Sequence, residues 1–189
     1  PMLRSLVGSE MCIRDRDIWF VVGVPIFFYD KLSWSFTEVG SFMASWIIFY
    51  GIIQSLAPKL LKIFYGNNFS ENEQAFIWAI KLLLIIACLG ILSYTYDYNG
   101  YLISMGLFLF GFIFAINSSI HSYLILALAK KNDVTLDVGF YYMANAMGRL
   151  LGCIISGFSY QIAGLIGCFV FAGIFLFFCS VFSFYLKSY

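Results

Sequence analysis

Five long apolar runs dominate this sequence and constrain its fold more than any short motif does. A helix rises about 1.5 Å per residue, so roughly 20 apolar residues cross the hydrocarbon core of a bilayer. Runs of about this length lie at 36–56, 75–94, 102–129, 137–163 and 168–186. Backbone groups inside a membrane are satisfied only in helices or closed barrels, and these runs lack the alternation of apolar and polar residues that barrel strands show. The runs therefore predict an all-α membrane protein surrounded by a lipid bilayer.

The composition argues against a soluble domain. Only 11% of the residues are charged and 62% are hydrophobic, whereas about 25% of the residues are charged in a soluble domain. The formal net charge of +1 gives no basis for binding nucleic acid. The sequence contains no cluster of histidine and cysteine with metal-ligand spacing, no glycine-rich phosphate loop and no Ser/His/Asp arrangement. We therefore expect no metal, no cofactor and no enzymatic activity.

Residues 1–16 differ from the rest of the chain. They are polar, carry both signs of charge and lack the order of basic, apolar and small residues that marks a signal peptide. The stretch SLVGSEMCIRDR resembles translated sequencing-adapter read-through. We therefore expect a non-native leader at 1–16 and a transmembrane part at 17–189.

The apolar run at 17–30 is shorter than the others. As a helix it is about 21 Å long, which is less than the roughly 30 Å hydrocarbon core. We expect it to be the second half of a spanning helix whose first half is missing. Asp17 then lies deep in the intact helix, either as a polar residue of a site or simply as the cut end.

The basic residues predict the orientation in the membrane. We expect Pro58 to end the helix that begins at residue 36. Counted alternately, the loops then lie on two sides of the membrane, and Lys31 alone lies on one of them. The other side carries Lys59, Lys62, Lys130, Lys131 and Lys187. Because basic residues concentrate in cytoplasmic loops, we expect loops 57–74 and 130–136 and the C-terminus to be cytoplasmic. The expected location is the inner (plasma) membrane, which the chain crosses several times.

Arg149 is the most informative polar residue in the chain. It is the one charge in the apolar stretch 139–157 and lies near the middle of the predicted span 137–163. A charge at this depth in a bilayer is costly, and such residues are functional by default. A guanidinium is always charged and holds phosphate or carboxylate with two parallel hydrogen bonds. We predict that Arg149 binds an anionic solute; the alternative is an ion pair or a carbonyl clamp within the bundle.

Four other polar residues are candidates for binding the same solute. Asn145 lies four residues before Arg149 and shares its helical face, and Tyr142 lies two turns before it. Asn117 and His121 are four residues apart on one face of another predicted helix. They either line a solute path or a proton-coupled site, or they form hydrogen bonds between helices around a neutral histidine. For Tyr142, aromatic packing is the alternative role.

The helix that carries Arg149 also has a strip of small residues. Gly148, Gly152 and Ser156 follow one another at a spacing of four. Such a strip lets a second helix approach closely, although apolar helices often contain this spacing by chance. We expect a helix contact along it.

Three stretches make the chain resemble a known family. They are DIWFVVGVPIFFYD (17–30), WSFTEVGSFMASWIIFYGIIQSLAP (34–58) and GFYYMANAMGRLLG (139–152). The chain as a whole resembles the C-terminal half of a major facilitator superfamily transporter, and these stretches look like the ArsJ group of organoarsenical efflux transporters. The resemblance implies twelve helices in two six-helix halves with the solute at the midplane between them. This chain would then supply a truncated seventh helix and helices eight to twelve, and an N-terminal half would be its missing partner.

The resemblance also implies a function. The ArsJ group is proposed to export 1-arseno-3-phosphoglycerate, which a glyceraldehyde-3-phosphate dehydrogenase makes from arsenate, and thereby to confer arsenate resistance. Such a solute is strongly anionic, as the interpretation of Arg149 requires. The region SLAPKLLK departs from the superfamily, because it lacks the acidic residue of the signature that often occurs in this loop. Two alternatives remain: a facilitator-family exporter of a drug or sugar, and a complete small multi-pass membrane protein with a role outside transport.

Overall fold

The computed structural model describes residues 18–65, 71–95, 99–128 and 134–187. Within these ranges all the regular structure is helical, which confirms the predicted all-α class. The helices are α1 (Ile18–Asp30), α2 (Phe36–Tyr65), α3 (Glu71–Thr95), α4 (Gly100–Leu128) and α5 (Val134–Lys187). The predicted leader at 1–16 and Asp17 lie outside the described residues.

The helix α5 consists of two limbs that fold back on each other. Ala163 (φ −138°, ψ 18°) and Gly164 (φ 59°, ψ −149°) leave the helical conformation, and the positive φ is one that glycine adopts without strain. Ser156 Oγ and Cys168 Sγ, on either side of this break, are 3.9 Å apart. In a straight helix twelve residues would separate them by about 18 Å along the axis. The chain therefore reverses at 163–164, between a first limb (134–162) and a second limb (165–187).

Four segments of the described helices are long and apolar enough to cross a membrane. They are Phe36–Ile63, Glu73–Thr95, Gly100–Leu124 and Ala146–Phe178. The last of them contains the reversal at Gly164, so it enters both limbs of α5. The apolar part of α1, Phe20–Asp30, is shorter. Length and composition thus describe a multi-pass membrane protein.

The ends of α2 have different causes. Its start is a capping box, in which the Ser35 backbone N–H and hydroxyl donate to Glu38 Oε2 at 2.8 and 2.7 Å and the Glu38 N–H donates back to Ser35 Oγ. The prediction that Pro58 ends this helix was wrong, because α2 continues to Tyr65. Proline removes one helical hydrogen bond and crowds the preceding turn. Packing outweighs that cost here, since the adjacent Ala57 is completely buried in a cluster that also contains Trp78 and Ile116.

The indole of Trp46 joins α2 to α4. Its Nε1–H donates to the carbonyl oxygen of Leu107 at 2.8 Å, and its ring lies against α4 where Gly111 has no side chain. On another side the ring of Phe20 from α1 lies 3.9 Å away, centroid to centroid. In a bilayer no water competes for the indole N–H, so a carbonyl of the neighbouring helix is the partner that keeps it satisfied. Three helices therefore meet at one buried tryptophan.

Small residues bring the other helices together. Gly106 of α4 takes the side chain of Leu89 from α3, and Gly23 of α1 lies against Cys168 in the second limb of α5. Membrane helices associate through such positions because lipid is as apolar as the side chains themselves. As a result α4 lies at the centre of the bundle and α2 lies at its edge. In the most apolar stretch of α4, 56% of the residues are buried, whereas in that of α2 only 11% are.

The contact at Gly111 yields a stability prediction. A Cβ atom there would lie 2.8 to 3.0 Å from three atoms of the Trp46 ring, which cannot move because Phe20 and Tyr50 pack against it. We expect Gly111→Ala to destabilise the fold by about 1–3 kcal/mol, the usual cost of overpacking. The measurement is thermal unfolding in detergent.

Gly51→Ala is the matched control, because a Cβ atom at Gly51 of α2 meets nothing within 4 Å. This variant is expected to be as stable as the parent or slightly more so, since alanine favours the helix. Equal unfolding temperatures for the two variants would show that Trp46 does not pack tightly on α4.

Candidate functional site

The strip of small residues on α5 faces inward. Gly148, Gly152 and Ser156 are all buried. Ser156 lies 3.9 Å from Cys168 Sγ of the second limb, and a Cβ atom on Gly23 of α1 would be 3.9 Å from Ser156 Oγ. The predicted helix contact is therefore confirmed at Ser156, where α1 and the second limb of α5 both approach.

Because the strip faces inward, Arg149 faces outward from this bundle. Its side chain is exposed, as are those of Tyr142 and Ala146 before it and Cys153 after it. Steps of four, three and four residues keep these positions on one side of a helix. We call these four residues the Arg149 face. Asn145 belongs to the same helix one turn before Arg149, but its side chain lies outside the described residues.

The charge of Arg149 has no counter-ion in the part of the chain that the structure describes. An ion pair in this part of the chain joins Asp30 and Lys31 at 3.8 Å, at the exposed end of α1. Among the described residues, no side chain or backbone carbonyl accepts a hydrogen bond from Arg149. That Arg149 binds a solute, and the alternative of an ion pair or carbonyl clamp, both stay predictions. A guanidinium at this depth in a membrane requires water, an anion or another protein surface.

Asn117 and His121 lie elsewhere. Both are on α4 and are 0% and 1% exposed, so neither reaches an open face of this bundle. The helix α4 contacts α5 only slightly. The structure therefore brings Arg149 and Tyr142 onto one surface but does not join Asn117 and His121 to it. That these two side chains line a solute path stays a prediction.

The structure also shows a contact that the sequence analysis did not identify. Lys81 Nζ lies 4.0 Å from the ring centroid of Trp78 on α3, within the range of a cation–π interaction. The spacing of three residues, which places both side chains on one helical face, was the available signal. Trp78 is buried and Lys81 is half-buried, so a positive charge lies close to the interface of α3 and α4.

Comparison with known proteins identifies a family over most of the chain. The family model of the Major Facilitator Superfamily matches residues 15–188, a range that includes all the described helices. No curated protein and no solved structure matches the chain.

Cysteine labelling tests whether water reaches the Arg149 face. Cys153 is exposed on this face, Cys88 is exposed on α3 beside the apolar Leu84 and Ile91, and Cys168 is buried. We expect a charged, membrane-impermeant maleimide to label Cys153 at least about tenfold faster than Cys88, because moving the charge of the reagent into the hydrocarbon around Cys88 is costly. The measurement is mass spectrometry of single-cysteine variants in membranes.

A lipid-soluble maleimide is the control. It should label Cys88 as well as Cys153 and leave Cys168 unmodified. Labelling of Cys153 by the lipid-soluble reagent alone would mean that the Arg149 face contacts lipid.

Proposed function

The chain belongs to the Major Facilitator Superfamily of membrane transporters, and we propose that it is part of an efflux transporter for an organic arsenical. The proposed solute is a small organic anion such as 1-arseno-3-phosphoglycerate, moved by alternating access. Its export would confer arsenate resistance. The exposed Arg149 in the middle of an apolar limb is the observation that carries this proposal.

The chemistry of Arg149 supports an anion. Its guanidinium can hold a tetrahedral oxyanion through two parallel hydrogen bonds, which a lysine ammonium cannot do. Attraction between unlike charges is several times stronger in a partly buried site than in bulk water. The Tyr142 hydroxyl lies two turns away on the same face, so a solute with a second polar group could contact both residues.

The resemblance to the ArsJ group supports the arsenical. The three stretches that carry it correspond to α1, to much of α2 and to the part of α5 that contains Arg149. A solute with a phosphate at one end and an arsenate at the other has two groups suited to a guanidinium. The proposal links the transporter to the glyceraldehyde-3-phosphate dehydrogenase that would make this solute from arsenate.

The open surfaces support a partner half. The helix α2 and the Arg149 face of α5 are both largely exposed in this bundle. We propose that an N-terminal six-helix half covers them, so that Arg149 lies at the midplane and solute passes between the halves as they rock. In this arrangement the protein lies in the inner membrane with its C-terminus in the cytoplasm.

A second candidate is an exporter of a bulkier organic anion, such as a drug. Met143, Met147 and Leu150 are at least half exposed around Arg149. Methionine side chains are flexible and suit surfaces that bind several apolar shapes. This surface would accept an anion with an apolar body more readily than a sugar.

Substitution of Arg149 in the complete transporter tests the anion contact. We expect Arg149→Gln to reduce the apparent affinity for the arsenical about 10- to 100-fold, because glutamine keeps one of the two hydrogen bonds and the loss of one hydrogen bond to a charged group costs about 1.5–3 kcal/mol. Arg149→Lys keeps the charge but loses the paired hydrogen bonds, so its affinity should be intermediate. Uptake is measured in everted vesicles, with the dehydrogenase supplying the solute from arsenate.

Lys62→Gln is the matched control, since it removes a cation that is exposed near the end of α2. It should leave uptake unchanged. Uptake by Arg149→Gln equal to that of the parent would exclude the anion contact. Inhibition by a bulky organic anion together with failure to move the arsenical would favour the second candidate.

A further inference from the structure

One side chain of α3 and one of α4 bury polar atoms that have no hydrogen-bond partner among the described residues. Trp78 is 4% exposed and Asn117 is 0% exposed. Trp78 Nε1 and both Nδ2 and Oδ1 of Asn117 make no hydrogen bond to any described residue. An unsatisfied donor or acceptor is costly in a bilayer, and buried polar groups in proteins nearly always find a partner.

The packing of the two helices places these side chains at the same depth. Leu89 of α3 lies on Gly106 of α4, where the helices touch. Trp78 lies eleven residues before Leu89, and Asn117 lies eleven residues after Gly106. Eleven residues make about three complete turns, so each side chain lies on the same face of its helix as the residue at the contact. Because α3 and α4 run antiparallel, Trp78 and Asn117 then lie at the same height along the pair. Trp78 also shares a buried cluster with Ile116, the residue before Asn117.

Further polar groups lead from this position to one end of the helices. Gln74 lies one turn before Trp78 on α3, and His121 lies one turn after Asn117 on α4; both are at most 9% exposed. Lys81 Nζ lies 4.0 Å from the Trp78 ring, inside the apolar segment Glu73–Thr95. An ammonium group is strongly hydrated, so Lys81 favours water beside the ring.

We propose that this interface contains a buried water site between Trp78 and Asn117. A water molecule accepts a hydrogen bond from Trp78 Nε1–H and donates one to Asn117 Oδ1, and a second accepts from Nδ2. Two polar side chains at one level supply the partners that a buried water needs. The site lies about 10 Å from the start of α3 and is reached from that end past Gln74. It hydrates the interior of this half independently of the Arg149 face.

Trp46 is a natural control for this site. It is 6% exposed, about as buried as Trp78, but its Nε1–H donates to the Leu107 carbonyl oxygen. Hydroxyl-radical footprinting of the complete transporter in lipid nanodiscs, read by mass spectrometry, modifies buried side chains next to bound water. We expect Trp78 to be modified several-fold faster than Trp46. Equal rates would overturn the proposal without affecting the proposed solute, because the readout does not depend on transport.

Asn117→Leu tests whether the amide holds the water. This change keeps a similar volume and removes both polar atoms, so the rate at Trp78 should fall to that of Trp46 while Trp46 itself is unchanged. An unchanged rate at Trp78 would overturn the pairing with Asn117. If this variant does not fold, labelling of the parent in ¹⁸O-water tests the same point. A bound water exchanges slowly, so incorporation of ¹⁸O at Trp78 should lag behind incorporation at exposed residues. Incorporation without a lag would contradict a bound water.

Discussion

The contact between Trp46 and the backbone of α4 organises this helical bundle. Its indole N–H bonds to Leu107, and its ring occupies the space that Gly111 leaves. Phe20 then packs on the same ring, so α1, α2 and α4 are joined at one point. Without water as a competitor, a hydrogen bond from a side chain to a neighbouring backbone is retained, and shape complementarity determines which helices touch. With α4 at the centre, α2 and the Arg149 face of α5 remain open.

The membrane makes every polar group in these helices informative, because each must be satisfied, hydrated or matched by a ligand. Three groups of the described residues illustrate this requirement. Trp46 is satisfied by a backbone carbonyl. Arg149 is exposed and has no ion pair within the described bundle, which is why it is our candidate for solute binding. Trp78 Nε1 and the Asn117 amide are buried without a hydrogen-bond partner among the described residues, which is why we assign water to them.

Much of the fold was predictable, because helix formation in a membrane depends on local sequence. Apolar length predicted the helices, and the spacing of Gly148, Gly152 and Ser156 predicted a close contact. The prediction failed at Pro58, where burial of Ala57 outweighs a lost hydrogen bond. For the candidate site, the sequence predicted which polar residues to consider but not which of them lie on one surface. Periodicity showed that Asn117 and His121 share a face, but not that both side chains are buried within the bundle.

The sequence by itself determined which segments are helical and which polar residues are energetically costly to place in a membrane, because both depend on residue type and local spacing. Membership of the transporter family is also carried by the sequence. Only the tertiary structure decided which polar face is covered and which is open. The reversal at Gly164 and the helix contacts at Gly111 and Gly106 determine which faces are covered. The reason is physical: whether a side chain meets lipid, water or another helix depends on segments that are distant along the chain.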